Sequence, residues 1–245
     1  MKELMKSNKI KDKENAIRKT SNKKLILGIV LDATLSFSVV YPQIYYFLEH
    51  LLMNLREIRK NYEEIDISYS VVLLHREAEV LKLSKNSSFS EDEEEVIKLL
   101  SDITFYGGSK SGTEDLNKAL NLQLMTINRF HDMLWEADKD YSILQQLILI
   151  TDACAKKSEQ FPDYTQNEKN VYGSYSNYGL QQAFIISYKC SYIPKLRIVN
   201  ANYLLVENEI NKCVFGDFEE LLNMDEKKTL NAAAGLAKEI FNLVV

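Results

Sequence analysis

The sequence predicts an α/β protein: a doubly wound, mainly parallel central sheet flanked by helices, with one short antiparallel edge strand. Three observations predict it. Two short apolar runs, Lys23–Asp32 and Leu144–Thr151, are continuous rather than alternating, which fits strands covered on both faces. Segments with apolar residues recurring at three and four lie between and after them, so strands and helices alternate along the chain. With only 8 Gly and 3 Pro in 245 residues, the chain lacks the turn density of an all-β protein.

Each element follows in order. Lys23–Asp32 (Lys-Lys-Leu-Ile-Leu-Gly-Ile-Val-Leu-Asp) is the first buried strand. Tyr41–Tyr62 carries Ile44, Phe47, Leu48, Leu51, Leu52, Leu55 and Ile58 at helical spacing, with Pro42 suited to a first turn. Ile65–Leu74 alternates through Ile65, Ile67, Tyr69, Val71 and Leu73 and reads as a strand. Ala78–Leu83 reads as its short antiparallel neighbour. Ser90-Glu91-Asp92-Glu93 has the spacing of a capping box before an acidic helix that runs to about Ile103. Thr113–Asp138 is a long helical pattern through Leu116, Leu120, Leu124, Ile127, Phe130, Met133 and Leu134. Leu144–Thr151 is the second buried strand, followed directly by Asp152. Ala183–Tyr188 and Lys195–Val206 read as strands, Phe218–Asn223 and Glu226–Val244 as helices.

Composition bounds the function classes. Apolar residues make up 46% and charged residues 27%, as expected of a globular chain with a substantial core. There is no run of 18 apolar residues, so no spanning helix and no membrane role is expected. Cys154, Cys190 and Cys213 are too few and scattered for a disulfide framework, which points to a reducing, cytoplasmic setting. His50, His75 and His131 show no zinc spacing. Residues 1–24 hold nine Lys/Arg against three acids, whereas the other 221 residues carry a net charge of −11. The first stretch therefore reads as a flexible basic leader with no signal-type apolar segment, and residues 25–245 as one domain. So acidic a domain is not expected to bind nucleic acid.

In a doubly wound sheet, sites form beyond the carboxyl ends of the strands. Two buried strands here end in or abut a carboxylate, Asp32 and Asp152. Thr34 and Ser36 follow Asp32 at two and four residues. Between the two strands lies Gly107-Gly108-Ser109-Lys110-Ser111-Gly112-Thr113, a small-residue loop that leads into a helix. Two acids and three hydroxyls form an all-oxygen set, which suits a hard divalent cation.

This arrangement resembles the von Willebrand factor type A (vWA) domain and its metal-ion-dependent adhesion site (MIDAS). That family's pattern is Asp-x-Ser-x-Ser, a distant Thr after a Gly-rich loop, and an Asp ending a buried strand. Asp32, Thr34, Ser36, Thr113 and Asp152 match it, with Thr113 81 residues after Asp32 and Asp152 39 further on. Thr34 stands for the first serine, and Leu35 stands where many members have Gly. Ser109 and Ser111 are the alternatives to Thr113 if the loop register differs.

The resemblance implies a Rossmann-like fold and a bound Mg²⁺, with Mn²⁺ and Ca²⁺ as substitutes. Thr34, Ser36 and Thr113 would contact the ion, and Asp32 and Asp152 would hold it largely through waters. It implies an interaction module rather than an enzyme, one that binds an Asp or Glu of a partner protein through the metal. It also implies membership of an intracellular multiprotein assembly, such as one built on a MoxR-type AAA ATPase.

Two rival readings stay open. One is a Mg²⁺-dependent aspartyl phosphotransferase of haloacid dehalogenase type, although Thr34 stands where that chemistry needs a second Asp. The other is a vWA scaffold with a non-functional metal site. A phosphate-binding loop needs Gly-Lys-Ser/Thr, which is absent here, as is a Gly-x-Ser-x-Gly elbow. A Tyr-rich insertion at about 155–179, with Tyr164, Tyr172, Tyr175 and Tyr178 among Asn, Ser and Gly, starts beside Asp152. Its composition suits an adaptable recognition loop.

Overall fold

A computed structural model describes residues 23–62, 64–75, 77–83, 87–108, 113–114, 116–137, 142–151, 154–155, 180, 182–187, 199–200, 203–204, 211–214 and 218–245. The expected basic leader up to residue 22, Asp152, Ser109, Ser111 and positions 156–179 of the Tyr-rich insertion lie outside these residues.

The first apolar run forms β1 (Lys23–Asp32), in which every residue after Lys23 is buried. A 3₁₀ turn (Phe37–Val39) leads into α1 (Tyr41–Arg59), with Pro42 in its first turn. Ile44, Phe47, Leu48, Leu51, Leu52 and Leu55 are all buried, which is the apolar stripe that the spacing predicts. β2 (Ile65–Leu74) is buried at every position but Asp66. Its alternation therefore does not mark a wet face, because Ser68 and Ser70 are buried as well. β3 (Ala78–Val80) pairs antiparallel with it, at half the expected length.

α2 (Glu93–Ser101) corrects the capping-box expectation. Its N-cap is Asp92, whose side chain accepts from the Glu94 N–H, and the helix stops at Ser101. Ser90 instead accepts from the Asp92 N–H and donates to Glu95. Glu93 is buried: Tyr69 Oη donates to its Oε1 at 2.9 Å, and Arg59 Nη2 to its Oε2 at 2.9 Å. Burial first, then the Glu93 charge, pushes the Tyr69 phenol well above its ordinary range. One carboxylate thus ties α1, β2 and α2 together.

β4 (Thr113–Glu114) precedes α3 (Leu116–Ala137), so the long helical pattern starts three residues later than its spacing suggests. β5 (Ser142–Thr151), β6 (Cys154–Ala155) and β7 (Gln182–Ser187) follow. The single strand expected over 195–206 is replaced, among the described residues, by a small antiparallel pair, β8 (Val199–Asn200) and β9 (Tyr203–Leu204). β10 (Asn211–Cys213) has no sequence signal, since three residues are too few to display a period. α4 (Phe218–Leu222) and α5 (Glu226–Asn242) close the chain, the latter capped by Asp225.

The main sheet runs β10-β7-β5-β1-β2-β3, parallel throughout except for β3. β1 lies centrally, with β2 and β5 on either side in straight register. Leu25, Leu27, Ile29 and Leu31 pack with α1, α2 and α5. Ile26 and Val30 face the other way, onto Ala119, Leu120, Leu124 and Ile127 of α3. Helices therefore cover both faces, as the continuous apolar runs require. On the α3 face, Gln123 lies over Gly28: a Cβ there would sit 2.6 Å from its Nε2.

Two outcomes follow from this packing. Gly28→Ala should destabilise by about 1–3 kcal/mol in urea melts, with most of the loss removed when Gln123 is also changed to Ala. Burial holds the His131 imidazole below its ordinary value, against the weaker opposing pull of Asp132. The unfolded chain therefore takes up that proton first, and stability should fall as pH drops below about 6.5. A His131→Gln variant should show a flatter acid limb in thermal melts.

Candidate metal centre

The strand order reverses between β1 and β5: β2 follows β1 on one side, while β5, β7 and β10 extend on the other. A crevice beyond the carboxyl ends of a parallel sheet forms at such a point. Asp32, the last residue of β1, lies there and is 1% exposed. Its Oδ1 accepts the Thr34 backbone N–H at 3.0 Å and the Thr34 hydroxyl at 2.7 Å. Its Oδ2 accepts the Thr151 hydroxyl at 2.7 Å, across the strand boundary. Thr34 Oγ1 and Ser36 Oγ lie 3.1 Å apart. Because the Thr34 proton goes to the carboxylate, Ser36 is the donor in that last pair.

The result is a row of oxygens graded from a buried carboxylate through the buried Thr34 hydroxyl to exposed Ser36. Among the described residues no Lys, Arg or His pairs with Asp32. A buried anion without a counter-cation is costly, and hydrogen bonds offset only part of that cost. An anionic oxygen with adjacent hydroxyls is a donor set that fits a hard divalent cation. Among the described residues no cluster of three or more His, Cys, Asp or Glu offers a different kind of metal site.

Asp32, Thr34 and Ser36 are thus brought together by their side chains. Thr113 is placed by its backbone: β4 pairs parallel with β6, Thr113 opposite Cys154, just past the end of β5. Asp152 lies outside the described residues.

Sequence reasoning missed two groups. Thr151, which the sequence pattern did not single out, reaches Asp32 with its hydroxyl. No sequence signal marks it: the straight parallel register of the folded sheet, which pairs Leu31 with Ile150, sets Thr151 beside Asp32 on the same face. His75 follows β2 at the same edge, buried, with Nδ1 2.8 Å from the Ala33 carbonyl oxygen and Nε2 3.3 Å from Glu79. A lone histidine after a strand carries no such signal in sequence.

Comparison with known proteins gives likeness of fold. No family model matches the chain, and no curated protein matches it. Among solved structures it is similar to a von Willebrand factor type A protein from Catenulispora acidiphila (TM-score 0.49, 13% identity, 86% of this chain and 42% of that one). It is also similar to proximal thread matrix protein 1 from the mussel byssus, with a zinc-occupied MIDAS motif (TM-score 0.46, 14% identity, 89% and 46%). The PilB minor pilin from Streptococcus sanguinis is a third (TM-score 0.45, 11% identity, 91% and 63%). The chain spans less than two thirds of each of these proteins. Among the described residues, no helix is long and apolar enough to cross a membrane.

The Asp32 geometry predicts the cost of losing its bridge. Thr151→Val keeps the shape and removes one donor to a charged acceptor. It should lower stability by about 1.5–3 kcal/mol, measured as a shift in urea midpoint at unchanged slope.

Proposed function

We propose that this chain is a protein-interaction module that holds a divalent cation, Mg²⁺ in the cell, and through it binds a carboxylate of a partner protein. The observation that carries this reading is the Asp32–Thr34–Ser36 row at the switch point of the sheet, ending in an exposed hydroxyl. Asp32, Thr34 and Ser36 would hold the ion together with Thr113 and Asp152. Bound there, the ion would supply a partly unneutralised positive charge, open to one more hard oxygen ligand.

The chain's own residues do the rest. Asp32 anchors the row by accepting from Thr34 and Thr151, so Thr34 Oγ1 is held in one rotamer with its proton directed inward. That leaves Ser36 as the exposed oxygen of the row, with the buried Thr34 hydroxyl directly behind it. A Glu or Asp side chain suits such a site because it brings an anionic oxygen that water cannot match. The acidic domain repels an acidic partner at long range, so recognition is short-range and set by the local site.

The phosphotransferase reading needs a carboxylate free to attack phosphorus. Asp32 has hydrogen bonds on both oxygens and is buried, and Thr34 offers no general acid two residues on. The geometry therefore favours binding over that chemistry.

Titration calorimetry with Mn²⁺ should show one site in the wild-type chain, no heat of binding for Asp32→Ala, and an affinity at least about tenfold weaker for Ser36→Ala. A pull-down in Mg²⁺ should retain a partner that EDTA elutes. Retention undiminished by chelator would refute the metal-bridged mode.

A further inference from the structure

Two observations outside the oxygen row meet at Ala33, the residue between Asp32 and Thr34. The Ala33 N–H donates to the Leu74 carbonyl at 2.8 Å, which simply continues the β1–β2 ladder by one step. The Ala33 carbonyl is held more unusually. It accepts from His75 at 2.8 Å and from the Tyr106 N–H at 3.3 Å. A carbonyl can only accept, so His75 Nδ1 carries the proton.

The peptide joining Ala33 to Thr34 is one rigid plane. Its carbonyl end is gripped by His75 and by the Tyr106 backbone. Its N–H end donates to Asp32 Oδ1. Fixing both ends of that plane fixes where the Thr34 side chain leaves the backbone, and therefore where its hydroxyl meets Asp32 and Ser36.

His75 is itself held by its backbone and by the ring stacked on it. Its backbone N–H donates to the Glu77 carbonyl at 3.2 Å, and its Nε2 faces Glu79 Oε1 at 3.3 Å. The Tyr106 ring stacks on the imidazole with centroids 3.8 Å apart and planes 15° from parallel. Tyr106 is immediately followed by Gly107 (φ 75°) and Gly108 (φ 105°), left-handed positions from which the chain leaves toward Thr113. One side chain after β2 therefore touches both the 33–36 loop and Tyr106, the residue that precedes the Gly-rich stretch in sequence.

We infer that His75, with Tyr106 as its stacking plate, is a positioning residue that orients the Ala33–Thr34 peptide and so sets the geometry of the cation site. This rests on the metal-binding reading above. Groups that orient a metal's ligands commonly matter about ten- to a hundredfold in affinity.

The test is Mn²⁺ titration calorimetry on the full chain, with thermal melts in parallel, for wild type, His75→Ala, His75→Asn and Leu55→Ala. Asn retains an N–H donor near the position of Nδ1. Leu55 is a fully buried residue near the C-terminal end of α1, toward the opposite edge of the sheet, and serves as a control for mere loss of stability. All titrations are run below every variant's melting transition. We expect His75→Ala to weaken Mn²⁺ binding about tenfold or more, His75→Asn to recover most of that loss, and Leu55→Ala to lower the melting temperature with wild-type affinity. Wild-type affinity in His75→Ala, or an equal loss in Leu55→Ala, overturns the positioning role while leaving the metal site standing. Absence of Mn²⁺ binding by the wild-type chain overturns the metal reading and this inference with it.

Discussion

The Thr151 hydroxyl and the Asp32 carboxylate meet across the line where the sheet changes direction of growth, and much of the molecule's upper edge is arranged around that contact. A carboxylate at the end of a central, doubly covered strand would be a liability if left bare. Here both its oxygens accept, from Thr34 on its own strand's exit and from Thr151 on the neighbouring strand. The straight register of β1 with β5 makes the second bond available, because it sets residues 32 and 151 side by side on one face. The bond thus depends on parallel pairing, and the pairing in turn depends on helices burying both faces.

That dependence links packing to chemistry. α1, α2 and α5 cover one face and α3 the other, so β1 has no wet side and its C-terminal end is rigid. A short loop that leaves a rigid strand end can hold three side chains in a fixed row, which is what coordination of a hard cation demands. The Glu93 carboxylate, shared by Tyr69 and Arg59, plays the corresponding part lower in the molecule, where it holds α2 against β2 and α1. Both buried acids are satisfied by donors from separate elements. Each therefore reports on whether those elements are correctly docked.

The oxygen row gains its order from a hierarchy of hydrogen bonds rather than from charge pairing. Protons run from Ser36 to Thr34 to Asp32, so each donor points inward along the row and exposed Ser36 stands at its outer end. The Ala33–Thr34 peptide is fixed at both ends by the same logic, with His75 and Tyr106 at one end and Asp32 at the other. A site of this kind presents acceptors to whatever approaches, and this property recommends a cation over an anion as its first occupant.

By itself the sequence determined the fold class and the position of its central strands. Lys23–Asp32 and Leu144–Thr151 are apolar without interruption, and only a strand covered on both faces tolerates that. It also determined which oxygen-bearing residues could gather, since Asp32, Thr34 and Ser36 fall within five residues of a strand end. The elements it misjudged are those whose signal is too short or too ambiguous: the start of α2, where Asp92 outcompetes Ser90 as a cap, the pair β8–β9, and the three residues of β10. Tertiary structure alone decided that Thr151 bridges to Asp32 and that His75 grips Ala33, because both contacts join segments 42 or more residues apart. Local periodicity encodes which face of an element is buried, but which neighbour a polar side chain meets at a strand's end is fixed only once register and strand order are set.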